Sequence, residues 1–367
     1  MVDVLHYTSA RKALLLNAMK KLALVLLIAV AAVGCASQTT TTSQPDETSQ
    51  TEGTSALQQV QAIALANVEG RIDHMALDAQ SGRLFVAALG NNTLEVIDLK
   101  AGTVTDEITG LKEPQGVAYV PEDNKLLVTN GDGDTLNIYD GQSLKLLTQV
   151  VLGDDPDNVR YDAATGYAYV GYGTGNGSAL GVVDVRTGTK VADIELSGHP
   201  ESFQLEDSGQ RIFVNVPTAG HIAVVDRDKG SVVETWSLSN AAENFPMALD
   251  DGNHRLFVGT RSPAKLPIFD TETGKMITSL DSSGDADDIF YDMQNKRIYV
   301  SGGEGAISVF EQTDPTTYSL LDKVDTAEGA RTSLFVADSG TLYVAVPRRG
   351  SQQAEVRAFQ PKSEGSP

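Results

Sequence analysis

One short pattern of polar and apolar positions recurs along the chain: a polar or basic residue, two aliphatic or aromatic residues, then valine. It stands at Arg83-Leu-Phe-Val86, Lys125-Leu-Leu-Val128, Tyr167-Ala-Tyr-Val170, Arg211-Ile-Phe-Val214, Arg255-Leu-Phe-Val258, Arg297-Ile-Tyr-Val300 and Thr341-Leu-Tyr-Val344. Successive valines lie 42, 42, 44, 44, 42 and 44 residues apart. A period of about 40 to 45 residues holding several short strands is the signature of a β-propeller. The pattern therefore predicts an all-β fold, a seven-bladed β-propeller.

Each repeat divides into four strand-like runs. In the fourth these are 202–206, 211–214, 221–226 and 231–238, rich in β-branched and aromatic residues. Asp207-Ser-Gly209, residues 217–220 and Asp228-Lys-Gly230 separate them with turn chemistry. The third strand of six repeats ends in an acid: Asp98, Asp140, Asp184, Asp226, Asp270 and Glu311. A side chain that starts a turn explains this without any catalytic role. The first repeat opens near His74 and the last lacks a strand, which residues 58–65 supply. The ring is expected to close through this N-terminal strand, removing open sheet edges.

Composition adds an address and a charge. Residues 19–35 carry Lys20 and Lys21, an apolar run from Leu22 to Val33, and Ala32-Val33-Gly34-Cys35. That run suits a signal peptide and is shorter than the about 20 residues a spanning helix needs. The last four residues resemble the lipobox of bacterial lipoproteins, departing from it at Ala32, where leucine is usual. The resemblance implies lipidation of Cys35 and a lipid anchor in a bacterial cell envelope. Ala36 and Ser37, with no Asp after the Cys, point to the outer membrane. Residues 1–34 then form the leader, with Met19 the expected start, and 35–57 a Ser/Thr-rich tether too polar to fold. The propeller is expected over 58–360 and an unstructured tail over 361–367. The chain has 28 Lys and Arg against 49 Asp and Glu. Without residues 1–34, which hold Arg11, Lys12, Lys20, Lys21 and Asp3, the balance is 24 against 48. Such a surface repels nucleic acid. Cys35 is the single cysteine, so no internal disulfide forms.

Over residues 58–360 the seven motifs, with Lys125-Leu-Leu-Val-Thr-Asn130 and the run from Gly131 to Asp140, resemble the YVTN-repeat, YncE-like propellers. The resemblance implies the fold and an extracytoplasmic setting. Fold alone does not set function.

In a propeller, the loops that lead into each blade and the loops joining its second and third strands crowd one mouth of the central channel. The register places Arg71, Asp73 and His74 there from blade one, Gln115 from blade two, and Asp157 and Asn158 from blade three. Blade four contributes His199 and Glu201, blade five Asn244, blade six Asp287 and Asp288, and blade seven Arg331. An acidic mouth of this kind suits a divalent cation such as Ca²⁺, Mg²⁺ or Zn²⁺, or a cationic ligand. Asn158, Glu201 and Asp288 are the residue types with which gluconolactonase-like propellers hold a divalent cation at this mouth. No Gly-x-Ser-x-Gly elbow, His-Glu-x-x-His or Cys-x-x-Cys-His occurs. The expected function is thus a monomeric binding module for a small ligand or an envelope protein. The alternative is a metal-dependent hydrolase of the lactonase type.

Overall fold

The computed structural model describes residues 55–362. The expected leader, the expected lipidation site Cys35, most of the expected tether and the end of the expected tail lie outside the described residues. Within them, seven four-stranded antiparallel sheets form seven blades. We letter the strands of a blade a to d, from the channel outward. Every b strand starts on the first residue of the recurrent pattern, from Arg83–Ala88 in blade one to Thr341–Val346 in blade seven. Blade four runs Phe203–Leu205, Arg211–Val216, His221–Asp226 and Ser231–Ser237, within two residues of expectation at every boundary.

The b and c strands read as continuous apolar runs because neighbouring blades cover both of their faces. Phe85, Phe213 and Phe257 of the b strands are fully buried, and the apolar clusters bridge blades rather than lie within one. Phe213 and Trp236 of blade four pack against Val258 and Phe269 of blade five, the Trp236 ring 5.3 Å from Phe213 and 6.2 Å from Phe269. The d strands form the outer wall and expose most of their residues. Asp98, Asp140, Asp184, Asp226 and Asp270 end c strands and build turns as expected. Glu311 does not, because its strand runs on to Asp314, which accepts the Thr316 N–H at 2.8 Å. Asp98 Oδ1 accepts the N–H groups of Lys100 and Ala101, both at 2.9 Å, and Gly102 takes the positive φ of 67° that closes the turn.

The N-terminal strand Leu57–Ala64 pairs antiparallel with Glu355–Pro361 and completes blade seven. The strand begins one residue before the expected boundary, and Ala56 and Leu57 are buried against Phe359 and Val324. Ser55 Oγ and the Ala56 N–H both bond Asp322, at 3.0 and 2.7 Å. Among the described residues the only helical pieces are three-residue 3-10 turns, and no helix is long and apolar enough to cross a membrane.

Candidate functional site at the channel mouth

Counting back ten residues from the start of each b strand gives Asp73, Gln115, Asp157, Glu201, Phe245, Asp287 and Arg331. All seven line one cavity of about 180 Å³ at the channel mouth. The backbone makes these positions equivalent. Asp73, Asp157 and Glu201 each donate their N–H to the fifth residue of their own b strand, Ala87, Gly171 and Asn215, at 2.7, 2.9 and 3.0 Å. That residue returns a bond to the next carbonyl, of His74, Asn158 and Ser202, at 3.0, 3.0 and 3.1 Å. Two residues earlier in the chain lies the rim, with Arg71, Asp155, His199 and Asp285. One residue later lies a tier that faces deeper, with His74, Asn158, Ser202 and Asp288.

Ten of the twelve expected mouth residues therefore line the same cavity: Arg71, Asp73, His74, Gln115, Asp157, Asn158, His199, Glu201, Asp287 and Arg331. Asn244 does not. It sits one register early, where other blades carry Ile72, Pro114, Pro156, Pro200, Ala286 and Ala330. It is fully buried there, giving its amide to Asn215 Oδ1 at 2.8 Å and to the His221 carbonyl at 3.1 Å. Asp288 lines a second cavity of about 600 Å³ along the channel, on the far side of His74. His74 is the one residue shared by the linings of these two cavities. Its Nδ1 lies 3.6 Å from Asp288, and its Nε2 lies 3.8 Å from both Asp73 and Asp157. Burial alone would depress its pKa, but Asp288, Asp73 and Asp157 carry it up to about 10, so it is an imidazolium at neutral pH.

The mouth is mixed in charge rather than uniformly acidic, because arginines neutralise one side. Arg71 bonds Asp73 at 2.9 Å. Arg331 holds Asp285 at 3.0 Å and Asp287 at 2.8 Å. Arg261 pairs with Asp287, donates to the Ala286 carbonyl at 2.9 Å, and covers the Phe245 ring with its guanidinium carbon 3.8 Å from the centroid. Arg348 and Arg349 line an adjoining cleft with Arg71 and Arg331, paired to Glu69 at 3.2 Å and Glu328 at 2.7 Å.

The other side is different. Asp157 and Glu201, adjacent in the ring, have no arginine partner. Burial, and then the charge of Asp73, pushes the Asp157 carboxyl up to about 7. Burial, and then Asp157, holds Glu201 well above the carboxylate range. His199 completes this corner. Its Nδ1 bonds the Gly173 carbonyl at 2.7 Å, which only accepts, so Nδ1 carries a proton and Nε2 is the nitrogen left for a ligand. One ligand atom from each of Asp157, His199 and Glu201 lies within 4.8 Å of the others. The three residues that converge are thus not the expected Asn158, Glu201 and Asp288, because Asp288 stands one tier deeper and faces the channel.

Arg261 and Phe245 are mouth residues that the sequence reading passed over. Arg261 had a signal. Six residues after the start of each b strand the other blades carry Leu89, Gly131, Gly173, Pro217, Gly303 and Pro347, and blade five alone places a charge there.

No protein-family model matches this sequence, and no curated protein matches it. Many solved structures share the fold, including two of low identity. Kuenenia stuttgartiensis hydrazine synthase matches at 18% identity over 77% of this chain and 95% of that chain, with a TM-score of 0.68. The mitotic checkpoint complex matches at 13% identity over 91% of this chain and 99% of that chain, with a TM-score of 0.69. Identities this low establish the propeller fold alone.

Proposed function

We propose that this protein is an exported propeller, held to a bacterial envelope membrane by a lipid on Cys35, that binds a small polar ligand at its channel mouth. The observation that carries this reading is the corner formed by Asp157, His199 and Glu201. Its ligand-binding atoms converge, while of the other acids lining the cavity Asp73 and Asp287 pair with arginines and Asp155 accepts the Gln115 amide at 2.8 Å. The rigid ring supports it, since Asp73, Asp157 and Glu201 are each fixed by a backbone bond to a buried strand. At about 180 Å³ the cavity is smaller than the roughly 300 to 1,000 Å³ of drug-sized sites. It fits an ion, a small amine, or the tip of one side chain from an envelope partner. One structural neighbour is part of a complex, and a propeller that receives a partner's side chain here accords with that use.

The test has two arms. A Cys35→Ser chain is expected to move from the membrane to the soluble fraction while keeping its melting temperature, because Cys35 lies far in sequence from the propeller. Wild-type chain that stays soluble sinks the tether. In the second arm, the full chain in detergent is screened by thermal shift against defined small amines, lysine and arginine amides, and model lactones. A hit abolished by Glu201→Gln supports the mouth as the site. Lactone turnover lost in the same variant would favour the hydrolase reading, in which a bound ion polarises the carbonyl and activates water.

A further inference from the structure

We propose that Asp157, His199 and Glu201 bind a divalent transition-metal ion of the Zn²⁺ class, with Asn158 as a further oxygen donor. This deepens the mouth-binding reading and rests on it. Two carboxylates close together are common on protein surfaces and prove little. Four observations set this corner apart.

First, its ligand atoms are unspent. Among the described residues the Glu201 carboxylate accepts no hydrogen bond, and His199 Nε2 has no partner. Asp157 takes only a long 3.5 Å contact from the Asn158 amide and lies 3.8 Å from His74. Second, His199 is oriented as a metal-binding imidazole is. A backbone carbonyl fixes its Nδ1–H and leaves Nε2 as the donor. Third, Asn158 is 2% exposed, lines the cavity beside Asp157, and its Oδ1 accepts no bond. A buried amide oxygen without a partner is destabilising, and an ion at this corner would satisfy it. Fourth, donors about 2.1 Å from one ion stand roughly 3.3 to 4 Å apart. Ligand atoms already within 4.8 Å of one another need only small side-chain rotations to close.

The donor set also selects the ion. Ca²⁺ takes about 6 to 8 oxygens, and Mg²⁺ keeps most of its water. One imidazole nitrogen with two carboxylates suits Zn²⁺ and its neighbours. Three protein donors leave the fourth position of a tetrahedral ion open toward the mouth; with Asn158 bound as well, a ligand atom would enter only as a fifth donor.

The test uses the full chain in detergent, stripped with chelator and dialysed, then titrated by calorimetry with Zn²⁺ alone. The expected result is one ion per chain, with Ca²⁺ and Mg²⁺ binding about 100-fold more weakly or worse. His199→Gln and Glu201→Gln should each weaken Zn²⁺ by roughly 100-fold or more, while the exposed Asp281→Asn leaves it unchanged. Glu201→Gln keeps the size of the side chain and breaks no hydrogen bond among the described residues, so it should fold and melt near the wild-type temperature without metal. It should also lose the Zn²⁺-induced rise in melting temperature. No Zn²⁺ binding, or binding indifferent to both substitutions, overturns the proposal. If Zn²⁺ fails while an amine still binds in a Glu201-dependent way, the metal falls and the binding module stands. If neither binds, both fall.

Discussion

Replacing His74 with glutamine is expected to cost the chelator-treated protein about 3 to 5 kcal/mol at pH 7, the usual loss when one partner of a buried charge pair is removed. The imidazolium lies among Asp288, Asp73 and Asp157 at 3.6, 3.8 and 3.8 Å; Arg71 also holds Asp73, but among the described residues Asp288 and Asp157 have no other ion-pair partner. Without it, those carboxylates face one another. Asp157, whose carboxyl is already pushed up to about 7, takes a proton and sets the lower end of the range. The sign of the pH dependence follows. The folded-state pKa of His74, about 10, lies above the unfolded value near 6.5. Its contribution is therefore complete below about pH 6.5 and is lost as pH rises through about 10. The gap in urea midpoint between wild type and His74→Gln should close over that window. A gap that ignores pH, or no gap at all, would show that His74 is neutral and unpaired.

Removing residues 57–64 should have the larger consequence still. This strand makes seven registered pairs with Glu355–Pro361, and it buries Leu57 and Ile63. Lost backbone bonds at about 1 kcal/mol each, with two buried aliphatic side chains at roughly 1.5 to 3 kcal/mol each, come to the order of 10 kcal/mol. That rivals the whole stability of a typical domain. The deletion also leaves the strand 355–361 as an open edge. The expected outcome is loss of the cooperative melt together with aggregation. A monomeric deletion variant that melts near the wild-type temperature would mean the ring does not depend on this closure. Ile63→Asp is the milder form. It places a charge in the cluster of Leu65, Val356 and Ala358 and should lower the melting temperature without removing the strand.

The b strands were legible in the sequence because each lies between two blades and is apolar on both faces, so the same four-residue pattern must recur seven times. The a strands were harder to read. Phe203–Leu205 is only three residues long, and its boundaries are set by the channel rather than by a pattern. The mouth was legible in its register and not in its pairings. The prolines Pro114, Pro156 and Pro200 mark one phase of the blade-leading loop, but in blade five the proline is displaced to Pro246. Asn244 falls on the phase of the neighbouring prolines, one residue before the mouth position that Phe245 takes. Asn215 explains the local path, since its amide holds the carbonyls of Phe245 and Pro246 at 3.0 and 3.1 Å. The excess of Asp and Glu suggested an acidic mouth, and Arg261 corrects that. It reaches from the turn after one b strand to Asp287 of the next blade, a span of side chain that residue spacing does not display. What survives unpaired is one corner, and a count of charges along the chain could not have singled it out.

The most direct measurement is a high-resolution crystal structure of the full chain purified without chelator. Density stronger than water is expected between Asp157, His199 and Glu201, in contact with at least two of them. Ordered water alone at that corner, with Glu201 swung over to an arginine, would contradict a binding role for the mouth.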